Sequence, residues 1–405
     1  SDLPPPAESH FGCTIGEAQS GVNFLFIVLR WFYRCVLHLV FLHATEYVAM
    51  GFHGKLKFCF SLVAVASTAA GIFFIYVCSR ISCQNASKGS SMAEYKAGRV
   101  NYFEGNIGKE FQFDLEGNDI IVFLHMQKTG GTKFGKHLVK NLDIKHPCDC
   151  VRRRKRCDCR RPNSNEIWLF SRYSMGWPCG LHADWTELKV CVPGLINKLE
   201  GGNRSRKFLY ITILREPVSR VLSELKCYQK GTTWKMSLHK CNGRVPTKEE
   251  LPPCYTGENW EDVTLQEFLN CSSNLAFNRQ TRMLADLELV GCYNRSAMSR
   301  VPREEILLES AKRNLASMAY FALVEYQLES QYLFERTFGM KFRQQFVQMT
   351  KEETRAAEVV PSSKDLVRIQ ELNKLDSKLY SFAKELFFER LKYFKERDKE
   401  GISQV

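Results

Sequence analysis

The chain has 405 residues, 57 Lys and Arg against 44 Asp and Glu, and a formal net charge of +13. That length admits about two domains, or one large α/β domain with appendages. The basic balance suits an acidic partner, and with no RNP, zinc-finger or helix-turn-helix signature nucleic acid is set aside in favour of anionic lipid or sulfated polysaccharide.

Two apolar stretches come first in chain order. Val22–Ala44 is interrupted by Arg30 and Arg34, which are costly at mid-bilayer. It reads either as a second span or interfacial helix, or as part of an extension ahead of Met50. Phe58–Cys78 is 21 residues without a charge, flanked by Lys55, Lys57 and Arg80. A bilayer crossing takes about 20 such residues, so 58–78 is predicted to be a transmembrane helix following a segment at 1–57. Residues 79–117 are polar and glycine-containing, as a stem would be.

An α/β pattern begins at 118 and runs to about 360. The apolar run Ile120–Leu124 predicts a buried strand, broken at Gln127-Lys128-Thr129-Gly130-Gly131-Thr132 and followed by a helix. A strand, glycine turn and helix together offer free N–H groups and a positive dipole end to a phosphate. Lys128 adds a cation, and Thr129 and Thr132 add hydroxyls. The lysine precedes the glycines, so this is not the GxxxxGK[ST] loop of a nucleotide kinase. A second strand, Phe208–Leu214, leads into Arg215, a turn at Glu216-Pro217, and a helix from about Val218. Arg215 and Ser223 are expected to face one anionic group beside the first loop.

Between these segments, Arg152–Arg161 carries seven cations in ten residues, interleaved with cysteines. It reads as a solvated loop or, pinned by disulfides, as a preorganised anion surface. Cys148-x-Cys150 and Cys157-x-Cys159 have spacings that zinc would accept, but disulfides are the expectation and no metal is assigned. Eleven cysteines lie between Cys148 and Cys292, an odd number. Four Asn-x-Ser sites, at Asn85, Asn203, Asn270 and Asn294, are open to glycosylation if this side is lumenal. Further on, Asn278–Leu284 and Ile306–Phe338 are predicted as helices from 3.6-residue spacing. Leu366–Glu396 is predicted as one long amphipathic helix, within a C-terminal segment at 361–405, with Ile369, Leu372, Leu375, Leu379 and Phe382 on one face.

The pair KTGGT and R-E-P-V-S-R-x-x-S-E, each after a strand, resembles the sulfotransferase superfamily. The strings Trp168–Leu188, Gly231–Lys235, Leu251–Trp260, Asn278–Asn294 and Gln331–Phe338 resemble heparan sulfate 6-O-sulfotransferases. The resemblance runs from roughly Tyr102 to Tyr393 and implies a P-loop-kinase-like α/β fold, a parallel sheet flanked by helices. It further implies a Golgi, single-span type II protein with a lumenal catalytic region acting on heparan sulfate chains. The sulfuryl donor would be 3′-phosphoadenosine 5′-phosphosulfate (PAPS), held by His125, Met126, Gln127, Lys128, Thr129, Gly130, Gly131, Thr132 and Lys133 at its 5′ end. Arg215 and Ser223 would take the 3′-phosphate, and Val347, Gln348 and Met349 with Thr354, Arg355 and Ala356 would close over the nucleotide.

A sugar hydroxyl needs a general base, and histidine suits the working pH. The resemblance gives that role to His182, with His125 as rival and with Asp184 and Glu187 expected to orient the ring. Lys128 would stabilise charge on the departing phosphate. For the acceptor, the resemblance implies Lys155, Arg156, Arg172, Trp177, His182 and His239. One departure stands out: Cys227 occupies the place of a family histidine and makes the cysteine count odd. Three competing readings are another regiochemistry such as 2-O, a nucleotide kinase, and a heparan-binding homologue without catalysis.

Overall fold

A computed structural model of the chain describes residues 102–403 apart from 112, 203, 204, 351, 352 and 355. The expected span at 58–78, most of the stem, Arg355 and the Asn85 and Asn203 sequons lie outside the described residues. Among the described residues no helix is long and apolar enough to cross a membrane.

A four-stranded parallel sheet organises the rest, in the order β3-β1-β4-β5. Its strands are β1 (Asp119–Leu124), β3 (Leu169–Phe170), β4 (Lys207–Leu214) and β5 (Tyr320–Leu323). Parallel strands are covered on both faces, so they read as continuous apolar runs rather than alternating ones. Ile120, Ile121, Val122, Leu124, Ile211 and Leu214 are accordingly buried. β1 is followed by α1 (Gly131–Lys140), and α2 (Trp185–Glu200) connects β3 to β4, which leads into α3 (Pro217–Tyr228). A two-stranded antiparallel pair joins β2 (Leu142–Asp143) to β6 (Lys341–Phe342).

The stretch predicted as helical over Ile306–Phe338 divides. After α4 (Leu265–Asn270) and α5 (Arg279–Leu284), α6 covers Arg300–Ser317, and α7 covers Gln327–Phe338 after β5. The intervening Tyr320-Phe321-Ala322-Leu323 pairs with Ile211–Leu214 and is buried on all four residues. A buried strand this short carries no period that separates it from helix.

The C-terminal helix also breaks, into α8 (Ser363–Leu372) and α9 (Lys374–Ser403). At the break Asn373 is fully buried, and its side-chain oxygen accepts from Asn278 N (3.1 Å). Beyond it α9 enters the main core through Leu379, Ala383, Leu386, Phe387 and Phe394.

α5 and α9 cap each other across the chain. The Asp376 carboxylate accepts from Gln280 N (3.1 Å), Thr281 N (2.7 Å) and the Thr281 hydroxyl (2.8 Å), filling the role of the absent local cap of α5. In return the Asn278 side-chain oxygen accepts from Leu375 N and Asp376 N. The Gln280 amide then clamps the Arg215 backbone, accepting from its N–H and donating to its carbonyl, both at 2.9 Å.

Ten of the eleven cysteines pair as Cys148–Cys159, Cys150–Cys157, Cys179–Cys191, Cys241–Cys292 and Cys254–Cys271. Cys227 stands outside these five bridges.

Removing the buried Asp376 carboxylate would strip three donors of their acceptor. We predict that Asp376→Ala lowers unfolding free energy by about 3 kcal/mol in urea titration, within the range for buried donors left unpaired. Glu371→Ala, which touches only the exposed Arg368 pair, is expected to change it by less than about 0.5 kcal/mol.

Candidate active site

The C-terminal ends of the parallel strands meet at one edge, where open α/β sheets place ligands. The segment after β1 supplies His125 and Gln127 to Lys133, β3 leads to Arg172, β4 to Arg215 and β5 to Val324; all line a cavity of about 480 Å³.

In the first loop Gly130 is the N-cap of α1 at φ 76° and makes no side-chain cap. Lys133 N already donates to the Gly130 carbonyl at 3.0 Å, which leaves the N–H groups of Gly131 and Thr132 pointing to where an anion would sit. Gly131 permits a second close approach: a Cβ there would lie 2.4 Å from the His125 ring. Lys128 is left-handed at φ 65°, as is His182 at φ 53°, a conformation costing a side-chain-bearing residue about 1 kcal/mol. Surrounding structure holds both. The Lys128 carbonyl accepts from Arg215 Nη1 at 3.2 Å, joining the two strand-to-helix corners, and its ammonium lies 2.9 Å from Cys227 Sγ.

His182 sits between two fasteners. On one side the Cys179–Cys191 bridge ties its loop to α2; on the other Asp184 caps that helix. Asp184 and Glu187, expected to orient the imidazole, instead form a reciprocal capping box: Asp184 accepts from Glu187 N, and Glu187 from Asp184 N. Orientation comes from the His125 carbonyl, 2.7 Å from His182 Nδ1. A carbonyl oxygen only accepts, so Nδ1 carries the proton and Nε2 presents a lone pair. The ring packs against His125 (4.9 Å), Trp177 (4.6 Å) and Trp234 (5.2 Å). Burial, then the charges of Arg279 and Arg172, push its pKa down to about 4 despite the opposing carbonyl bond. His125 is held well below the usual range by burial, His182 and Arg172. Among the described residues, its Nδ1 and the Gln127 side-chain oxygen are buried without a hydrogen-bond partner at the rim of the glycine loop.

Of the expected cofactor residues, His125, Gln127 to Lys133, Arg215, Ser223 and Val347 to Met349 line the cavity. Gln348 fastens the last of these to the end of β5, accepting from Gln327 N (3.0 Å) and donating to the Val324 carbonyl (3.3 Å). Met126 is buried in the main core behind the loop. Ala356 packs in a separate apolar cluster with α3 and α8, and Thr354 stands at the cavity instead. Of the expected acceptor residues, Lys155, Arg156 and Trp177 line an adjoining groove, and Arg172 lines both groove and cavity. His239 is not brought to either. It is half-buried 3.4 Å from the Tyr293 hydroxyl, where desolvation, Arg282 and Arg279 hold its pKa well down.

Trp234 and Thr232 line the cavity without having been singled out. The Trp234 indole donates to Glu224 at 2.9 Å. Burial would raise that carboxyl, but Arg279 and Arg220, both paired to it, hold it down at about 2. Only the fold brings residue 234 to residue 224, although an isolated Trp in the polar string GTTWK is a local signal.

The model of a sulfotransferase family matches residues 111–383. Heparan-sulfate 6-O-sulfotransferase 3-B of Danio rerio is 53% identical over 304 residues, covering 75% of this chain and 72% of that protein. Heparan-sulfate 6-O-sulfotransferase 1 of Homo sapiens is 56% identical over 287 residues, 70% of this chain and 69% of its own length. The protein of the same description from Gallus gallus is 58% identical over 278 residues, 68% of each chain.

Two outcomes follow from the geometry. If His182 is the base, it acts only when neutral, so the acid limb of kcat/KM should fall well below 6.5, near the value of about 4. The unfolded chain binds that proton at a higher pH than the folded one, so stability should also decline as pH drops from about 6.5 toward 4. An acid limb centred near 6.5 would contradict this. Gly131→Ala should displace the His125 ring and lower kcat about 100-fold, while a radiolabelled transfer assay shows near-normal acceptor KM.

Proposed function

The chain belongs to the sulfotransferase family, among its heparan-sulfate 6-O members, and from that premise we propose that it transfers a sulfuryl group from PAPS to the 6-hydroxyl of glucosamine residues in heparan sulfate. The observation that carries this reading is an imidazole with Nδ1 fixed by a backbone carbonyl, its free nitrogen beside a phosphate-type loop joined to Arg215.

The residues present suit a nucleotide with anionic groups at both ends. Uncapped N–H groups and Lys128 with Lys133 stand at one corner, Arg215 and Ser223 at the other, and the unpartnered Gln127 oxygen marks a polar position between protein and ligand. When bound, PAPS supplies an activated sulfuryl group and a phosphate leaving group. His182 Nε2 takes the proton of the sugar hydroxyl. The Lys128 ammonium, on its strained backbone, stabilises negative charge on the leaving side, and Thr132 adds a hydroxyl donor, while the Thr129 hydroxyl donates to the Met126 carbonyl at 3.2 Å and braces the loop. Arg215 is held in register by the Gln280 clamp rather than by its own loop. The Val347–Met349 segment, tied to β5, covers the nucleotide side. Arg172 pairs with acceptor anions, and Trp177 and Trp234 wall the base, excluding water and offering flat faces to a sugar ring. Among the described residues no group of three or more His, Cys, Asp or Glu is placed to hold a metal ion. Lys128, Lys133, Arg172 and Arg215 supply the positive charge at the site.

Five disulfides suit an oxidising compartment. With the apolar segment 58–78 and the exposed sequon at Asn270, this supports a Golgi type II glycoprotein with a stem at 79–117 and a lumenal domain from 118.

The test is incubation of the protein with radiolabelled PAPS and desulfated heparins, followed by disaccharide mapping. Label on glucosamine C6 is expected. Label on uronate would replace the regiochemistry; heparin binding without transfer would select the non-catalytic reading. Phosphate transfer from labelled ATP with magnesium would select a kinase. Lys128→Ala and His182→Ala should each lower kcat by about 100-fold or more. Arg215→Ala should act mainly on KM for PAPS.

A further inference from the structure

The catalytic cavity shares Arg172 with a second, larger groove of about 720 Å³ whose charged lining residues are all of one sign. Eight of its fifteen lining residues are Lys or Arg and none is Asp or Glu. Two elements build it. Lys136 and Lys140 stand one helical turn apart on the exposed face of α1, the helix that follows the phosphate loop. Facing them is the tip of a hairpin closed by the nested bridges Cys148–Cys159 and Cys150–Cys157. The bridge pairing Asp149 with Asp158 continues its ladder, and Arg154 N returns to the Val151 carbonyl at 3.1 Å to close the turn. Arg153 takes φ 72° there, a position usually left to glycine or asparagine.

Five cations, Arg152 to Arg156, thus ride an exposed tip whose shape the disulfides fix. Among the described residues, no carboxylate pairs with Lys136, Lys140, Arg152, Arg153 or Arg154. A solvated charge run would need neither staples nor a left-handed arginine. Like charges this close repel one another, and a polyanion laid between them relieves that cost. Arg172 and Trp177 connect the groove to the base: Arg172 lines both cavities, and the Trp177 ring is 4.6 Å from that of His182.

We propose that this groove is an outer acceptor subsite that grips a stretch of polysaccharide already carrying sulfates, beside the sugar being modified. Lys136, Lys140, Arg152, Arg153 and Arg154 are its contact residues. The inference rests on the proposed reaction and adds to it a length requirement and a preference for a pre-sulfated flank on one side. Sulfation of the flanking sugars must then precede efficient turnover here.

The test compares Lys136→Ser/Lys140→Ser and Arg152→Ser/Arg153→Ser with the parent protein, on size-defined heparan tetrasaccharides and dodecasaccharides. For each double variant KM for the dodecasaccharide should rise about tenfold, with kcat and the tetrasaccharide KM within about twofold of the parent. Affinity should also depend less steeply on salt, by about one and a half units of log–log slope for each double variant, which removes two cations. Equal effects on both lengths, or none on either, would overturn the subsite. Calorimetric binding of the dodecasaccharide separates this outcome from failure of the reaction itself. If the parent transfers no sulfate to either length, the proposed reaction fails. An about tenfold loss of dodecasaccharide affinity in the variants would still support the groove, and unchanged affinity would overturn it.

Discussion

The contact on which the site depends is the one between His182 Nδ1 and the His125 carbonyl. It fixes which nitrogen carries the proton, and through that it decides which nitrogen is free to act as a base. It also couples the proposed base to the glycine loop, because residue 125 directly follows β1 on the way to the turn at Gly130 and Gly131. A shift in the loop therefore shifts the base. Carboxylate partners, the commoner means of orienting an imidazole, are present two and five residues away but are engaged in capping α2. Burial first, then cationic Arg279 and Arg172, outweigh the His125 carbonyl and the more distant Glu224 charge, so the imidazole stays neutral at the pH where it is proposed to accept a proton.

Much of the surrounding structure serves to make that contact unavoidable. The disulfide at Cys179 and the capping box at Asp184 pin the loop from both ends, which lets His182 persist in a left-handed conformation. On the opposite corner, Arg215 is held by Gln280, Gln280 sits on a helix capped by Asp376, and Asp376 belongs to the C-terminal helix. Helix α9, remote in sequence, is thereby part of the support for the arginine proposed to bind the nucleotide. The buried Glu224, satisfied by Arg220, Arg279, Tyr228 and Trp234, plays the same part for the aromatic wall beside the base. It follows Ser223 directly, so phosphate site and wall share one turn of helix.

The sequence made some of this legible and hid the rest for physical reasons. Strands β1 and β4 and the turns after them were readable because buried parallel strands are unbroken apolar runs and phosphate turns need glycine or a cation at fixed positions. β5 was not, since four apolar residues between two amphipathic helices carry no period of their own. The division at Asn373 was hidden for a related reason: the apolar face runs through it, and only a partner from residue 278 shows that the side chain is spent on another helix. His182 could be singled out by resemblance, but not the carbonyl that orients it, because backbone acceptors leave no mark in a sequence. Trp234 went unnoticed and His239 was favoured because proximity through a loop of more than thirty residues is decided by Glu224 and the disulfides rather than by spacing.

The most direct measurement is the nitrogen-resolved magnetic resonance spectrum of the His182 imidazole, assigned by comparison with a His182→Gln variant. The structure predicts a neutral ring protonated on Nδ1 and bare on Nε2, persisting from about pH 8 down to about pH 5. A ring protonated on Nε2, or an imidazolium already dominant at about pH 6, would contradict the account of how this protein holds its base.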